Sequence, residues 1–130
     1  MQVVRATDIT DRTTTSTSYV DANISVTITP QQLTSSIIVI YSYLIRFPNN
    51  SGSYIQITDS SNIPLSGAEN AFVRDSAGSN GRLVQTLLGY VTPETASAVT
   101  YKGRFKSLSG DSFLLNSENT GQMYAIEVAA

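Results

Sequence analysis

The sequence predicts an all-β fold, a sandwich or barrel of about eight to nine short antiparallel strands. Its apolar segments are rich in β-branched and aromatic residues, turn residues recur roughly every 8–12 positions, and no segment keeps the apolar period of a helix. A chain of 130 residues has the length of one ordinary domain. We therefore expect residues 1–130 to form a single β-sandwich domain.

The first 30 residues are predicted to contain a strand, a hydroxyl-rich tract and a second strand. Residues 2–9 are predicted to form a short strand. Residues 10–18 are a Thr/Ser tract, and because Thr favours extended backbone we expect part of it to be strand. Residues 19–29 contain a clean alternation of apolar and polar side chains. This alternation predicts a half-buried strand, which Pro30 ends because proline cannot donate to a ladder.

Residues 35–47 form the longest apolar run, and the rest of the sandwich has to be built around it. Side chains at odd and even positions of a strand point to opposite faces. In the first half of this run both faces are apolar, whereas a strand with only one covered face alternates cleanly. In one arrangement Ile38 and Ile40 meet the facing sheet, and Ile37 and Val39 turn towards neighbouring subunits. In the other arrangement the two pairs exchange places. We expect a subunit contact on one of these two faces.

The rest of the chain is predicted to alternate strands and turns. Further strands are predicted at 54–58, 71–74, 82–92, 98–108, 113–115 and 122–129. Turns or loops rich in Gly, Pro, Asn, Asp or Ser are predicted at 47–52, 59–62, 75–81, 109–111 and 117–121. Residues 64–70 look irregular, and 93–97 is the one place where a helical turn is expected. One face of the last strand carries Tyr124, Ile126 and Val128.

The composition excludes two classes of partner. The formal net charge is −2, and there is no Lys/Arg cluster of the kind that neutralises phosphates. Lys102, Arg104 and Lys106 occupy alternate positions, which is typical of the solvent-facing side of a strand. No apolar stretch approaches the roughly 20 residues of a membrane span. We therefore predict neither nucleic-acid binding nor membrane insertion.

The side chains that most often carry catalysis are missing. The chain has no His and no Cys, which removes the commonest general base and the commonest metal ligands. The acidic residues are scattered, nearly all in predicted turns, where Asp stabilises the turn backbone. Residues 59–62 and 75–80 lack the spaced carboxylates of a calcium loop. We predict that the protein is not an enzyme and has no catalytic, cofactor-binding or metal-binding residues.

Two features remain open on the residues alone. Glu127 lies inside the last predicted strand, either on its solvent face or paired with an arginine such as Arg5 across a subunit contact. The seven tyrosines fall mostly in predicted strands. Tyrosine is an amphipathic contact residue, so this pattern favours core or subunit-interface packing, with carbohydrate binding as the alternative.

Several segments resemble a module of bacteriophage virion proteins. That module reads as a Thr/Ser run with Phe/Tyr-Val-Asp, a Ser-Val-Ser-Ile-Thr-Pro strand and a Ser-Lys-Ile-Leu-Val strand. The resembling segments here are residues 2–4, 13–21, 24–30, 35–40 and, for the module's last strand, 121–128. Residues 49–116 show no resemblance. The lysine of the module's third segment is Ile37 here, which makes this strand more apolar.

The resemblance implies a jelly-roll-like β-sandwich, usually homotrimeric, on the exterior of a phage particle. The expected function is that of a compact tail-fibre or receptor-binding component for host attachment. The alternative is a capsid decoration protein on the head, because the chain starts almost at the module itself. The implied partners are further copies of the chain, other virion proteins and a host surface glycan. Our candidates for the subunit interface are Ile37, Val39, Tyr41, Tyr124, Ile126 and Val128.

Overall fold

The computed structural model describes residues 1–47, 52–73 and 81–129. Within these ranges the chain forms strands and no helix, which confirms the all-β prediction. The ten strands are β1 (Gln2–Asp8), β2 (Arg12–Thr14), β3 (Val20–Ile28), β4 (Ser36–Phe47), β5 (Gly52–Asp59), β6 (Pro64–Val73), β7 (Gly81–Val91), β8 (Val99–Ser107), β9 (Ser112–Leu114) and β10 (Gly121–Val128).

The strands form two antiparallel sheets that enclose the core. Sheet A has the order β1-β10-β4-β7, with the short β9 beside the end of β4 and β2 beside β9. Sheet B has the order β6-β5-β8-β3. A single pair, Ser66 with Tyr90, links β6 to β7 and joins the two sheets at one edge. The result is a nearly closed sandwich.

The centre of the core is aromatic on the sheet A side. The rings of Tyr41 and Tyr43 from β4 lie 4.8 Å apart, and both side chains are at most 1% exposed. Opposite them, β8 presents Phe105 and Gly103. A Cβ added to Gly103 would lie 2.7 Å from Cε2 of Tyr41, which is too close for any contact. The glycine therefore leaves the space that the Tyr41 ring occupies.

Residues 64–70 were expected to be irregular, and this expectation is wrong because they form most of β6. Leu65 and Ala68 point into the core, and they are three positions apart, an odd step, instead of the even step of a regular strand. Gly67 has a φ of 75°, and the register between β5 and β6 shifts along this stretch. Such an irregularity breaks the period of two from which strands are recognised in a sequence.

Residues 93–97 were expected to form a helical turn, which the structure does not contain. The chain here crosses from β7 in sheet A to β8 in sheet B without helical hydrogen bonding. Glu94 has a φ of 54°, a left-handed conformation that no right-handed helical turn allows. The backbone N–H of Ser97 donates instead to Oγ1 of Thr95 at 3.1 Å.

Two predicted connections fall largely outside the described residues. Positions 48–51 of the predicted turn at 47–52, and positions 75–80 of the predicted loop at 75–81, belong to this group. The described residues that flank them lie in strands. Gly52 begins β5 and Gly81 begins β7.

A polar network fixes the end of sheet A where β1 stops. The Asp8 carboxylate accepts hydrogen bonds from Arg12 Nε at 2.9 Å, from the Thr10 N–H at 3.1 Å and from Asn116 Nδ2 at 3.0 Å. Next to it, Asp11 accepts two bonds from Ser117. Burial of Asp8 opposes its ionisation, but these hydrogen bonds outweigh burial and the net effect is a lowered pKa. The network therefore ties the segment after β1 to the turn before β10.

We expect Asp8→Asn to lower the free energy of unfolding by about 1–3 kcal/mol at neutral pH, because a buried charge-assisted network loses its acceptor. The folded-state pKa of Asp8 lies below the unfolded value. The stabilisation is therefore present above the unfolded pKa and is lost as the pH falls through the folded pKa. Urea denaturation at a series of pH values measures this effect, with the exposed Asp111→Asn as control. A difference between wild type and Asp8→Asn that stays constant below about pH 4 would contradict the linkage.

Candidate assembly interface

The structure decides which face of β4 meets the facing sheet. The side chains at odd positions from Ile37 to Ile45 are at most 1% exposed and fill the core. Those at even positions, from Ile38 to Arg46, are partly exposed on the outer face of sheet A. Of the two arrangements that the sequence left open, the one in which Ile38 and Ile40 meet the facing sheet is therefore excluded.

Apolar side chains cross the outer face of sheet A in two consecutive rows. The strand register places in the first row Val3, Ile126, Ile38 and Tyr90. One two-residue step along the strands, the second row contains Arg5, Tyr124, Ile40 and Leu88. Neighbouring strands lie about 4.8 Å apart, so the side chains of each row touch and form a continuous band. We call these two rows the apolar face.

Little of the described chain covers the apolar face. Val3 is 55% exposed, Leu88 61% and Tyr90 59%, and beyond the first row Val128 is 46% exposed. Single exposed apolar residues are common on proteins, but a contiguous exposed patch is typical of a binding surface. Ile38, Ile40, Tyr124 and Ile126, in the middle of the two rows, are partly exposed, so the band is open to solvent along its length and is a candidate contact surface.

The polar groups on and beside the apolar face already have partners within the chain. Arg5 donates from Nε to the Tyr124 hydroxyl and from Nη2 to Gln122 Oε1, both at 2.9 Å. At the other edge, the Tyr90 and Ser36 hydroxyls are hydrogen-bonded at 2.7 Å. The neutral hydroxyls keep their hydrogen bonds and can be buried at low cost. The Arg5 guanidinium has only neutral partners, so we expect it to lie at the rim of a contact, where it keeps access to water.

The size of the outer face is sufficient for the centre of a protein contact. Four strands about 4.8 Å apart, with about four outward positions each at a repeat of about 6.8 Å, cover on the order of 500 Å². A stable contact buries about 800 Å² per partner. The outer face of sheet A supplies more than half of that area, so flanking loops have to supply the rest.

The six interface candidates separate into two groups of three. Ile37, Val39 and Tyr41 lie inside the sandwich at 1% exposure or less and have no surface to offer a second chain. Tyr124, Ile126 and Val128 lie on the outer face of sheet A, and Val128 extends it by one position along β10. For these last three, a role in a subunit interface stays a prediction.

Reasoning from the sequence missed three residues of the apolar face, namely Val3, Leu88 and Tyr90. A signal was present for two of them, because the predicted strand at 82–92 carries apolar residues on both faces, as β4 does. Val3 carried no such signal, since its strand is short and its outward neighbours Arg5 and Thr7 are polar. Only the pairing of β1 with β10 places Val3 beside Ile126.

Glu127 occupies neither of the positions considered for it. It is 1% exposed and points into the sandwich between the ends of β1 and β4. Its Oε1 accepts a hydrogen bond from the Gln31 N–H at 2.6 Å, whereas Oε2 has no hydrogen-bond partner in the described structure. Arg5 lies on the opposite face of sheet A. Glu127 therefore anchors the loop between β3 and β4.

The outer face of sheet B differs from the apolar face in being polar. Lys102, Arg104 and Lys106 point outward from β8, as predicted, and Asp21 contacts two of them, Lys102 at 3.2 Å and Arg104 at 3.1 Å. Lys106 Nζ lies 4.6 Å and 4.8 Å from the ring centroids of two tyrosines, Tyr19 and Tyr54. These contacts satisfy the cations within the chain, so this sheet presents a solvated outer surface.

The tyrosines divide among three environments. Tyr41, Tyr43 and Tyr101 are buried in the core. Burial raises the pKa of Tyr101 to about 12, and the nearby Asp59 carboxylate adds to this shift. The others lie on the outer faces of the two sheets, Tyr90 and Tyr124 on sheet A and Tyr19 and Tyr54 on sheet B.

Neither a metal centre nor a membrane-spanning helix is found in the described ranges. No three His, Cys, Asp or Glu side chains there come close enough to hold a metal ion. Residues 59–62 form a turn, in which Asp59 Oδ1 accepts from the Ser61 N–H at 2.8 Å. No helix that could cross a membrane occurs among the described residues.

The fold, but not the sequence, resembles known proteins. No protein-family model matches the chain, and no curated protein sequence matches it. A chain in the structure of infectious bursal disease virus strain Gx has the same fold, with a TM-score of 0.50 and 12% identity over 98% of the present chain and 32% of the viral one. A mutant VP2 protein of the same virus, in derived T=1 particles, gives 0.49 and 11% over 99% and 36%. The chain thus spans about a third of each of these neighbours.

Proposed function

We propose that the protein is a non-enzymatic structural component of the exterior of a bacteriophage virion. In this role residues 1–130 form one domain, three copies associate through the outer face of sheet A, and the trimer is a compact tail-fibre or receptor-binding component for host attachment. The apolar face is the observation that carries this proposal, because it is a contiguous band that the described part of the chain leaves open to solvent. The fold likeness to a protein from a virus particle supports it, as does the resemblance of residues 2–4, 13–21, 24–30, 35–40 and 121–128 to a phage module.

A capsid decoration protein is the second candidate. The same observation favours it, since a broad apolar sheet face can bind to a capsid as well as to a second copy of the chain. In that case sheet A faces the shell, and other virion proteins contact Val3, Ile126 and Leu88. The two candidates differ in where the protein lies on the particle.

Immunogold labelling of intact particles with antibody against the purified protein distinguishes the candidates. Gold at the tail tip supports the attachment role, and gold over the head supports decoration. If cells that make the particles are shown to produce the chain and the particles still carry no label, both candidates are contradicted.

We expect the protein to be a trimer in solution, because exposed apolar rows are stabilised by burial at about 25 cal/mol per Å². Sedimentation equilibrium should give three times the 14.0 kDa mass of one chain. The association should persist at about 1 M salt, since an apolar contact, unlike one made of ion pairs, is not screened. A mass of one chain at all accessible concentrations would contradict the homotrimer.

A further inference from the structure

A pocket of about 330 Å³ opens at the end of the sandwich where β4 begins, between the turn after β5 and the loop after β7. The lining is mixed: apolar side chains lie beside a similar area of polar surface, and the polar groups come from four residues. Polar groups placed among apolar side chains are what orient a small molecule in its site. The lining residues are Asp59, Ser60, Leu65, Val91, Pro93, Ala98, Val99, Thr100 and Tyr101.

Paired strands hold two polar groups of this pocket. Asp59 at the end of β5 and Tyr101 near the start of β8 are direct cross-strand partners, and Tyr101 is 2% exposed. The Asp59 carboxylate is further held by its turn, because Oδ1 accepts from the N–H groups of Ser61 and Ile63 at 2.8 Å and 3.0 Å. The position of both groups is therefore set before any ligand arrives.

Three polar groups of the pocket have hydrogen-bonding capacity left. In the described ranges, Asp59 Oδ2, the Ser60 hydroxyl and the Tyr101 hydroxyl have no hydrogen-bond partner. The Thr100 hydroxyl differs, since it is paired with Thr27 at 2.8 Å. An acceptor and two hydroxyls beside an apolar wall match a ligand with several hydroxyl groups and a C–H face.

The charge of the pocket narrows the class of ligand. Asp59 is the one charged side chain among the lining residues, so an anionic ligand meets a negative carboxylate and no cation. A neutral ligand with hydroxyl donors meets no such penalty. The volume lies at the small end of the range for ligand pockets and has room for one six-membered sugar ring.

We propose that this pocket binds a neutral pyranose unit of a glycan. Asp59 Oδ2 accepts from one sugar hydroxyl, the Tyr101 hydroxyl bonds to a second, and Val91 and Pro93 contact the C–H face of the ring. This inference extends the proposed attachment role and rests on it, because that role makes a bacterial surface the source of the glycan. No residue of the apolar face lines the pocket, so the two surfaces can be tested independently.

The test uses the full chain labelled with ¹⁵N and titrated with glucose, galactose, mannose, N-acetylglucosamine and, as the anionic comparison, glucuronic acid. At least one neutral sugar should shift the amide signals of Ser60, Thr100 and Tyr101, with a dissociation constant on the order of millimolar. Glucuronic acid should bind at least about fivefold more weakly than the neutral sugar of the same ring.

Two variants separate binding from folding. Asp59→Asn keeps an oxygen to accept from Ser61 and Ile63 but loses the carboxylate, and Tyr101→Phe keeps the buried ring but loses the hydroxyl. Each should weaken sugar binding by about tenfold, the effect of one lost hydrogen bond. The matched control is Tyr54→Phe, which removes a hydroxyl on the outer face of sheet B and should bind as the wild type does.

The proposal is overturned if no neutral sugar shifts these amides at about 50 mM, if glucuronic acid binds as tightly as the neutral sugars, or if both variants bind like the control. These outcomes leave the virion role standing, because particle location and trimer mass test that role separately. Conversely, sugar binding by a protein that antibody does not find on particles would support the pocket and contradict the attachment role.

Discussion

If the protein is the trimer proposed above, replacing Ile126 with Asp is expected to convert it into folded monomers. Ile126 lies in the first row of the apolar face, between Val3 and Ile38. In a single chain the new carboxylate lies on an outer face that solvent reaches, so the sandwich keeps its fold. In the trimer the same carboxylate is taken out of water beside the row that contains Arg5, and that guanidinium offsets only part of the cost, which we expect to be about 3 kcal/mol. That cost raises the dissociation constant by at least about 100-fold.

Sedimentation equilibrium and far-UV circular dichroism measure mass and fold together for this variant. Ile38→Asp, from the same row, should behave in the same way. The matched control is Ser25→Asp, which adds the same charge at an exposed position opposite Lys102 on sheet B and should remain trimeric. If Ile126→Asp keeps the mass and the fold of the wild type, the outer face of sheet A is not the contact between subunits.

Replacing Gly103 with Ala or Val adds few atoms, yet we expect it to lower the free energy of unfolding strongly. The new Cβ lies 2.7 Å from Tyr41 Cε2 and 3.1 Å from Ile24 Cγ2. The Tyr41 ring cannot move away, because it is 1% exposed and packs against Tyr43 at 4.8 Å. Overpacking of a core typically costs about 1–3 kcal/mol. We expect Gly103→Ala to reach that range and Gly103→Val to exceed it.

Urea denaturation of a double-mutant cycle checks the cause. Tyr41→Leu removes the ring that clashes with the new Cβ, so Gly103→Ala should cost less in that background than in the wild type, with a coupling of at least about 0.5 kcal/mol. An equal cost in both backgrounds would show that the strain does not arise from the Tyr41 ring. Gly121→Ala offers a comparison outside the core centre, where the close neighbour is Asn116 Oδ1 at 2.8 Å.

Much of the strand pattern could be predicted from alternation alone. In β3 and β10 every second side chain is buried, and the sequence shows this directly. The alternation persists in β3 although its register with β8 shifts between Asp21 and Ser25. Only the last part of β6 was predicted, by the expected strand at 71–74. Residues 64–70 were missed because an irregularity around Gly67 breaks the alternation, and pairing with β5 supplies the strand instead. Glu127 was misassigned for a similar reason. A glutamate is expected to face solvent, but the strand register turns this one inward, and the Gln31 N–H donates a hydrogen bond to it inside the sandwich.

The residues of the two candidate sites also divide into those that a sequence pattern reveals and those that only strand pairing brings together. Tyr124, Ile126 and Val128 were recognised together because they share one face of one strand, whereas Val3 joins them only through pairing with β10. Residues of the pocket such as Asp59, Val91 and Tyr101 come from separate strands and meet at one end of the sandwich. No spacing in the sequence connects them, since strand pairing brings together residues far apart in the chain.

By itself the sequence determined that the protein is an all-β sandwich built around residues 35–47, and it predicts that both faces of this segment are covered. The tertiary structure decided which face is which. A period of two separates odd from even positions but does not label either set as inside. Packing decides which set is buried. The Tyr41 ring fits over Gly103 of the opposite sheet, and this contact turns Ile38 and Ile40 towards the outer face.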